Sequence, residues 1–184
     1  MTALADYIIR KQVPLGENPE LPKFRGNIGI TQGWISICAN LLLFVLKLVF
    51  GIISNSIALI ADAFHTLSDM ASSGVVVFGF KMASKPADKE HPFGHGRAET
   101  IAALTISILI GFTGIEFIKS SLARFMEDIM INVNWAVIAV IILTIFLKEG
   151  LARLSLNLGD TINSDILKAD ALHHRSDMYS SVLV

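Results

Sequence analysis

The chain has 184 residues, and its 15 Lys and Arg against 16 Asp and Glu give a formal net charge of −1. Hydrophobic residues make up 53%, charged residues only 17%, and the mean hydropathy is +0.60, whereas a soluble domain averages about 25% charged residues. This composition excludes a disordered chain, a coiled coil and a basic nucleic-acid-binding protein.

The predicted elements are long apolar segments that follow a polar N-terminal segment, residues 1–30, which lacks the apolar core of a signal peptide. Three segments reach the roughly 20 residues that a membrane helix needs: 33–53, 57–80 and 101–120. The fourth, 133–147, is shorter and extends through Lys148 and Glu149, which are expected at the membrane interface. An amphipathic fifth begins near Ile162 and reaches the last residue. The sequence therefore predicts an all-α membrane helix bundle with four complete helices and the start of a fifth, and a soluble all-α core is the alternative.

The basic residues predict the orientation of the bundle. Twelve of them lie before the first, after the second and after the fourth apolar segment, and only two lie on the other side, near the connection 3–4. Cytoplasmic connections collect Lys and Arg, so we expect a cytoplasmic N-terminal segment at 1–30, a transmembrane domain at 31–184, and a location in the cell (inner) membrane. Lys47, inside the first apolar segment, is expected to extend its stem towards the interface.

A short motif occurs twice. Residues 61–70 read ADAFHTLSDM and residues 169–178 read ADALHHRSDM, with seven of ten positions identical. At about 3.6 residues per turn, each copy places two carboxylates and one imidazole on one helix stripe: Asp62, His65 and Asp69 in the first copy, and Asp170, His173 and Asp177 in the second. Two acidic stripes facing each other at membrane depth repel, unless a cation or protons lie between them.

A divalent cation resolves this repulsion, because one His and one Asp from each helix offer two nitrogens and two oxygens, a set that suits tetrahedral coordination. The preferred ligands are His65, Asp69, His173 and Asp177. Asp62 and Asp170 are candidates for orienting the imidazoles or relaying protons. Two alternatives stay open: Asp62 takes the place of His65 or Asp69, or each His–Asp pair is an interhelical hydrogen bond, which the duplicated spacing argues against. Because the two helices run in opposite directions, both copies are expected near the middle of the membrane.

A second cluster follows the second apolar segment, in the stretch PADKEHPFGHGR at 86–97. Asp88, His91 and His95 have the chemistry and the close spacing of metal ligands, and two glycines there allow a tight turn. An ordinary polar loop with a structural turn is the alternative. All five histidines of the chain lie in the two motif copies and this loop, which strengthens the metal interpretation of the whole set.

Three stretches carry a family resemblance: SNSIALIADAFHTLSD, HPFGHGRAE and ADALHHRSD. With them the sequence resembles the cation diffusion facilitator family, from about Ile28 to the end. The resemblance implies proton-coupled export of divalent transition metals, most often zinc, by homodimers. It identifies the two His-x-x-x-Asp pairs with the family's transport site, and Asp88, His91 and His95 with a loop metal site seen in some members. The His–Asp form resembles zinc-selective relatives.

Members of that family usually have six membrane helices and a cytoplasmic metal-binding domain. We therefore expect that the sixth helix and that domain are absent from these 184 residues.

The expected function is export of Zn²⁺ from the cytoplasm in exchange for protons, with Cd²⁺, Co²⁺, Fe²⁺ and Mn²⁺ as further candidates. The expected partners are metal ions, protons, the lipid bilayer and a second copy of the chain, with no nucleic acid. We do not expect an enzyme, because no nucleophile–base arrangement accompanies the ligands. The alternative is a non-transporting, metal-binding membrane fragment that senses metal or modulates a full-length dimeric relative.

Overall fold

The computed structural model describes residues 3–125 and 135–182, and all the regular elements in these ranges are helices. They are α1 (Ala3–Gln12), α2 (Pro22–Ile53), α3 (Ile57–Ala83), α4 (Arg97–Phe125), α5 (Trp135–Thr161) and α6 (Asp165–Val182). Within the described ranges, three helices are long and apolar enough to cross a membrane: Pro22–Ile53, Arg97–Glu116 and Trp135–Thr161. The prediction of an all-α membrane bundle is confirmed.

Helix α3, the predicted segment 57–80, is as long as α5, at 27 residues, but it is not among these three, and Asp62, His65 and Asp69 interrupt its apolar sequence. The fifth segment of the sequence prediction forms helix α6, but this helix is not amphipathic in the usual sense, because it buries Asp170, His173 and Asp177 and exposes Leu172 and Tyr179. The predicted connection between the third and fourth apolar segments falls at 126–134, outside the described residues.

The first spanning helix begins earlier than its apolar composition indicates. Helix α2 begins at Pro22 instead of near Gly33, with proline in its first turn, where the missing N–H costs no hydrogen bond. The short helix α1 contacts α2 and α5, and it buries Ala5 and Ile8 against them. Part of the polar N-terminal segment is thus packed helix.

Helices α2 and α3 are antiparallel and pack closely along their length, because the face of α2 that meets α3 is rich in glycine. A Cβ added at Gly29 would lie 2.2 Å from the ring of Phe80, and one added at Gly33 would lie 2.5 Å from the side chain of Val77. Small residues spaced four apart allow such close approach of helices in membranes.

We expect Gly29→Ala to lower the free energy of unfolding by about 1–3 kcal/mol, the usual cost of overpacking a filled interior. The matched control is Gly74→Ala in α3, where an added Cβ meets nothing within 4 Å. Because Ala favours a helix over Gly by about 1 kcal/mol, this control should be neutral or stabilising. Denaturant unfolding of the purified protein measures both variants, and equal stability of the two would contradict the close approach of α2 and α3.

One end of the bundle is fixed by an ion pair between the beginnings of α2 and α4. The guanidinium of Arg25 donates to both carboxylate oxygens of Glu99, at 3.1 and 2.7 Å. Ser164, between α5 and α6, donates to Glu99 at 2.6 Å, and Arg25 donates to the carbonyl oxygen of Asn163 at 2.9 Å. The apolar core lies at this same end: Phe24, Ile28, Phe80, Leu158, Ile162 and Ile166. The buried charged side chains lie farther along the helices.

Candidate metal centre

The two motif copies meet inside the bundle. Asp69 of α3 and Asp177 of α6 are both buried, and each accepts a hydrogen bond from the ammonium of Lys148 on α5, at 2.7 and 2.6 Å. Although α3 and α6 run in opposite directions, the last aspartates of the two copies therefore lie at the same depth. The structure therefore brings together the two carboxylates that the sequence analysis places on one ion.

His65 completes a group of three potential ligands. One ligand atom each from His65, Asp69 and Asp177 lies within 4.8 Å of the others. His65 Nε2 is 3.8 Å from Asp69 Oδ1, and it has no hydrogen-bond partner among the described residues. The side chain of His65 is 33% exposed, so the group is open on the histidine side.

His173, the fourth predicted ligand, lies beside this group. It is buried, and its Nε2 is 3.6 Å from Asp177 Oδ2. Within the described parts of the chain, neither ring nitrogen has a hydrogen-bond partner, and Asp177 Oδ1 also lacks one. Buried polar atoms are nearly always satisfied in proteins, so each exception calls for an explanation. A bound cation would supply one for Asp177 Oδ1 and for one ring nitrogen of His173, since a single ion binds only one nitrogen of an imidazole.

Asp62 lies apart from this group. Its Oδ2 is 2.8 Å from the ammonium of Lys47 on α2, which also donates to Thr66 at 2.8 Å. The expectation that Lys47 extends to the interface is wrong, because its side chain is only 1% exposed. A buried carboxylate on the neighbouring helix compensates the charge that would otherwise have to reach water.

Asp170 forms a separate buried network. Its Oδ2 accepts hydrogen bonds from Gln32 of α2 at 3.0 Å and from Ser155 of α5 at 2.9 Å, and lies 3.3 Å from His174 Nε2. Ser36 is 3.1 Å from the same histidine nitrogen, and Gln32 also contacts Ser155. Gln32, Ser36 and Ser155 were not predicted as part of the site. The sequence feature that could have identified them is that they are polar side chains within otherwise apolar helices.

Lys148 is the most important residue that the sequence analysis misplaced. We expected it at the membrane interface, but its side chain is 1% exposed and lies between Asp69 and Asp177. The signal that would have found it is charge balance, since two facing acidic stripes need an internal cation. Lys148 follows directly after the fourth apolar segment, where a lysine is normally assigned to the interface.

The loop cluster has the geometry of a compact turn. Asp88 Oδ1 accepts hydrogen bonds from the backbone N–H of His91 at 2.6 Å and of Glu90 at 3.0 Å. His95 Nε2 is 3.6 Å from Asp88 Oδ2, and the rings of His91 and His95 are 4.4 Å apart. Asp88, His91 and His95 each offer a ligand atom within 4.8 Å of the others. The three predicted loop ligands therefore lie together.

The pKa of Asp88 is held below its usual range, chiefly because the backbone N–H of His91 donates to the carboxylate, with a further hydrogen bond and nearby charge from the two histidines. These bonds stabilise the turn at pH values above the ordinary pKa of a carboxyl group. The stabilisation is lost as the pH falls through the lowered pKa. The carboxylate is therefore ionised, and available to a metal ion, at neutral pH.

Comparison with known proteins connects this geometry to a family. The family described as the cation efflux transmembrane domain matches residues 33–184. An uncharacterized transporter of Methanocaldococcus jannaschii is 43% identical over 150 residues, which cover 82% of this chain and 53% of the relative. Metal tolerance protein C1 of Arabidopsis thaliana is 36% identical, over 81% of this chain and 35% of the relative.

A third relative is the manganese efflux system protein MneP of Bacillus subtilis, which is 31% identical over 80% of this chain and 50% of the relative. The chain thus spans about half the length, or less, of these curated relatives.

Proposed function

The chain belongs to the cation efflux family, the cation diffusion facilitators, and we propose from this premise that it exports divalent transition-metal cations, with Zn²⁺ as the preferred substrate. Metal enters from the cytoplasm, binds between α3 and α6, and leaves on the other side as protons replace it. One observation carries the proposal. Asp69 and Asp177, from the two copies of one motif, approach a single buried ammonium from opposite helices.

The ligand atoms support zinc as the preferred cation. His65 and His173 lie beside the two carboxylates, and imidazole nitrogen favours Zn²⁺ over the hard cations Mg²⁺ and Ca²⁺. Two carboxylates balance the charge of one divalent ion. Cd²⁺, Co²⁺, Fe²⁺ and Mn²⁺ are the competing substrates, and the relatives include proteins named for manganese efflux and for metal tolerance.

Proton exchange follows from the same chemistry. Imidazole and carboxylate bind metal only when they are deprotonated, so metal ions and protons compete for the same atoms. A site between oppositely directed helices at membrane depth suits alternating access to the two sides. Asp62 and Asp170 are the candidates for passing protons, although each lies in its own buried pair or network.

We place residues 1–30 in the cytoplasm and residues 31–184 in the cell (inner) membrane as the metal-transport domain, with a second copy of the chain as its partner. The side chains assembled around Asp69 and Asp177 are metal ligands and a lysine. Their arrangement supports transport and gives no support to an enzyme.

Reconstitution into liposomes tests this function. Zinc-sensitive and pH-sensitive dyes inside the vesicles should report zinc entry coupled to proton movement in the opposite direction. We expect both signals to disappear in the double variant Asp69→Ala, Asp177→Ala and to persist in Asp160→Ala, whose carboxylate is exposed on α5. Undiminished flux in the double variant would refute the site. Zinc binding without any flux would favour the alternative, a metal-binding membrane protein that senses metal or modulates a full-length relative.

The loop cluster is proposed as a second metal site, and His95→Ala tests it. Removal of one of three ligands should lower the zinc stoichiometry by one ion per chain and leave the site between α3 and α6 loaded. Isothermal titration measures the stoichiometry. The control is Lys89→Ala, which alters the same loop without touching a ligand. Unchanged stoichiometry in His95→Ala would indicate that the loop is a structural turn.

A further inference from the structure

The ammonium of Lys148 lies where a metal ion bound by both aspartates would lie. It donates to Oδ2 of Asp69 at 2.7 Å and to Oδ2 of Asp177 at 2.6 Å, so one positive charge bridges the two motif copies. An ammonium group has three donors and no acceptor, and it therefore interacts with carboxylates as a small cation does.

The charges of the site oppose the binding of a metal ion to these carboxylates while Lys148 is in place. With Lys148 in place, two carboxylates face one positive charge, and a divalent ion would raise the positive charge to three. The ion would also lie next to the ammonium in a buried space, where charge repulsion is poorly screened. The other buried carboxylates have partners of their own: that of Asp62 is paired with Lys47 at 2.8 Å, and that of Asp170 accepts from Gln32 and Ser155.

We infer that Lys148 is an internal cation that occupies the unloaded transport site and must leave Asp69 and Asp177 before a divalent metal ion binds between them. The inference rests on the proposed function, because it assigns the site's competitor for the transported metal. Lysine suits the role, since its charge is compact and its four-carbon stem is flexible.

Two consequences follow for the energetics of the site. Without metal, Lys148 holds α3, α5 and α6 together through its two hydrogen bonds and prevents repulsion between the aspartates. With metal present, the ion binds only to the fraction of molecules in which Lys148 has moved away, and the apparent affinity is reduced by that fraction. Lys148 should therefore stabilise the empty protein and weaken metal binding.

The test compares Lys148→Met with Lys47→Met. Both variants remove a lysine that is 1% exposed and paired with an aspartate, but only Lys148 contacts the proposed ligands. Zinc is titrated into the purified full chain in detergent at one fixed pH. We expect Lys148→Met to lower the Kd for zinc by about tenfold or more, as removal of a dominant competing state predicts, and Lys47→Met to leave it unchanged.

The melting temperature gives a second readout. Both variants should melt at a lower temperature than the wild type without zinc, because Lys47→Met leaves one buried carboxylate without its lysine and Lys148→Met leaves two. Zinc should raise the melting temperature of Lys148→Met by more than that of the wild type, and should raise that of Lys47→Met by the same amount as the wild type. If Lys148→Met does not fold, Lys148→Gln removes the charge and keeps an N–H donor, with the same expected gain in affinity.

Three results would overturn the inference. In the first, Lys148→Met and Lys148→Gln bind zinc no more tightly than the wild type, while Asp177→Ala loses binding. This result would mean that the metal site exists but that Lys148 does not compete for it. In the second, Lys148→Arg, which keeps the positive charge, gains as much zinc affinity as Lys148→Met. This result would assign the gain to a change in packing and not to the loss of a competing charge. In the third, Asp177→Ala binds zinc as tightly as the wild type. This result would refute the assignment of the site, and with it both the proposed function and this inference.

Discussion

Asp177→Ala is expected to weaken zinc binding at the site between α3 and α6 by roughly two to three and a half orders of magnitude. Loss of one partner from a buried charge pair costs about 3–5 kcal/mol, and each 1.4 kcal/mol is a factor of about ten in affinity. Asp69→Ala should have a similar effect, because the two carboxylates are related by the motif repeat and each contacts the same ammonium. Zinc titration of the purified protein measures both variants.

The control for this experiment is Asp160→Ala, which removes an exposed carboxylate from α5. Its zinc affinity at the membrane site should equal that of the wild type. An effect in Asp160→Ala as large as in Asp177→Ala would mean that zinc responds to overall charge. A large effect of Asp177→Ala combined with none of Asp69→Ala would mean that the two motif copies do not share one ion.

Asp170→Ala is expected to act on stability far more than on metal binding. Its carboxylate is fully buried and is contacted by Gln32, Ser155 and His174, so removal leaves these groups without their shared partner. We expect the free energy of unfolding to fall by about 3 kcal/mol or more, as when one partner of a buried ion pair is deleted. Denaturant unfolding of the metal-free protein measures the change.

The zinc affinity of the same variant decides between two roles for Asp170. The carboxylate lies beside His174 instead of the proposed ligand His173, so affinity should change by less than the roughly 10–100-fold that groups supporting metal ligands usually contribute. Asp165→Ala, an exposed change in the first turn of α6, serves as the control and should cost less than about 1 kcal/mol. A loss of zinc affinity without a loss of stability would assign Asp170 to the metal site.

Much of the candidate site was predictable because it depends on local spacing. The motif ADAxHxxSDM occurs at 61–70 and 169–178, and the two copies differ at only three positions. Helical periodicity alone places each histidine and aspartate on one face. The loop residues Asp88, His91 and His95 lie within a few residues of each other, so a single turn suffices to gather them.

The helical membrane fold and the available ligands could be predicted before any packing was known, since apolar run length and side-chain spacing are properties of each segment alone. The pairing of the buried charges became visible in the packed helices: Lys47 with Asp62, Lys148 with Asp69 and Asp177, and His174 with Asp170. The lysines and their aspartates lie on different helices. His174 and Asp170 lie on one helix, but the adjacent His173 is an alternative partner at nearly the same spacing. Which cation reaches which carboxylate therefore depends on the rotation and order of the packed helices, which no single segment encodes.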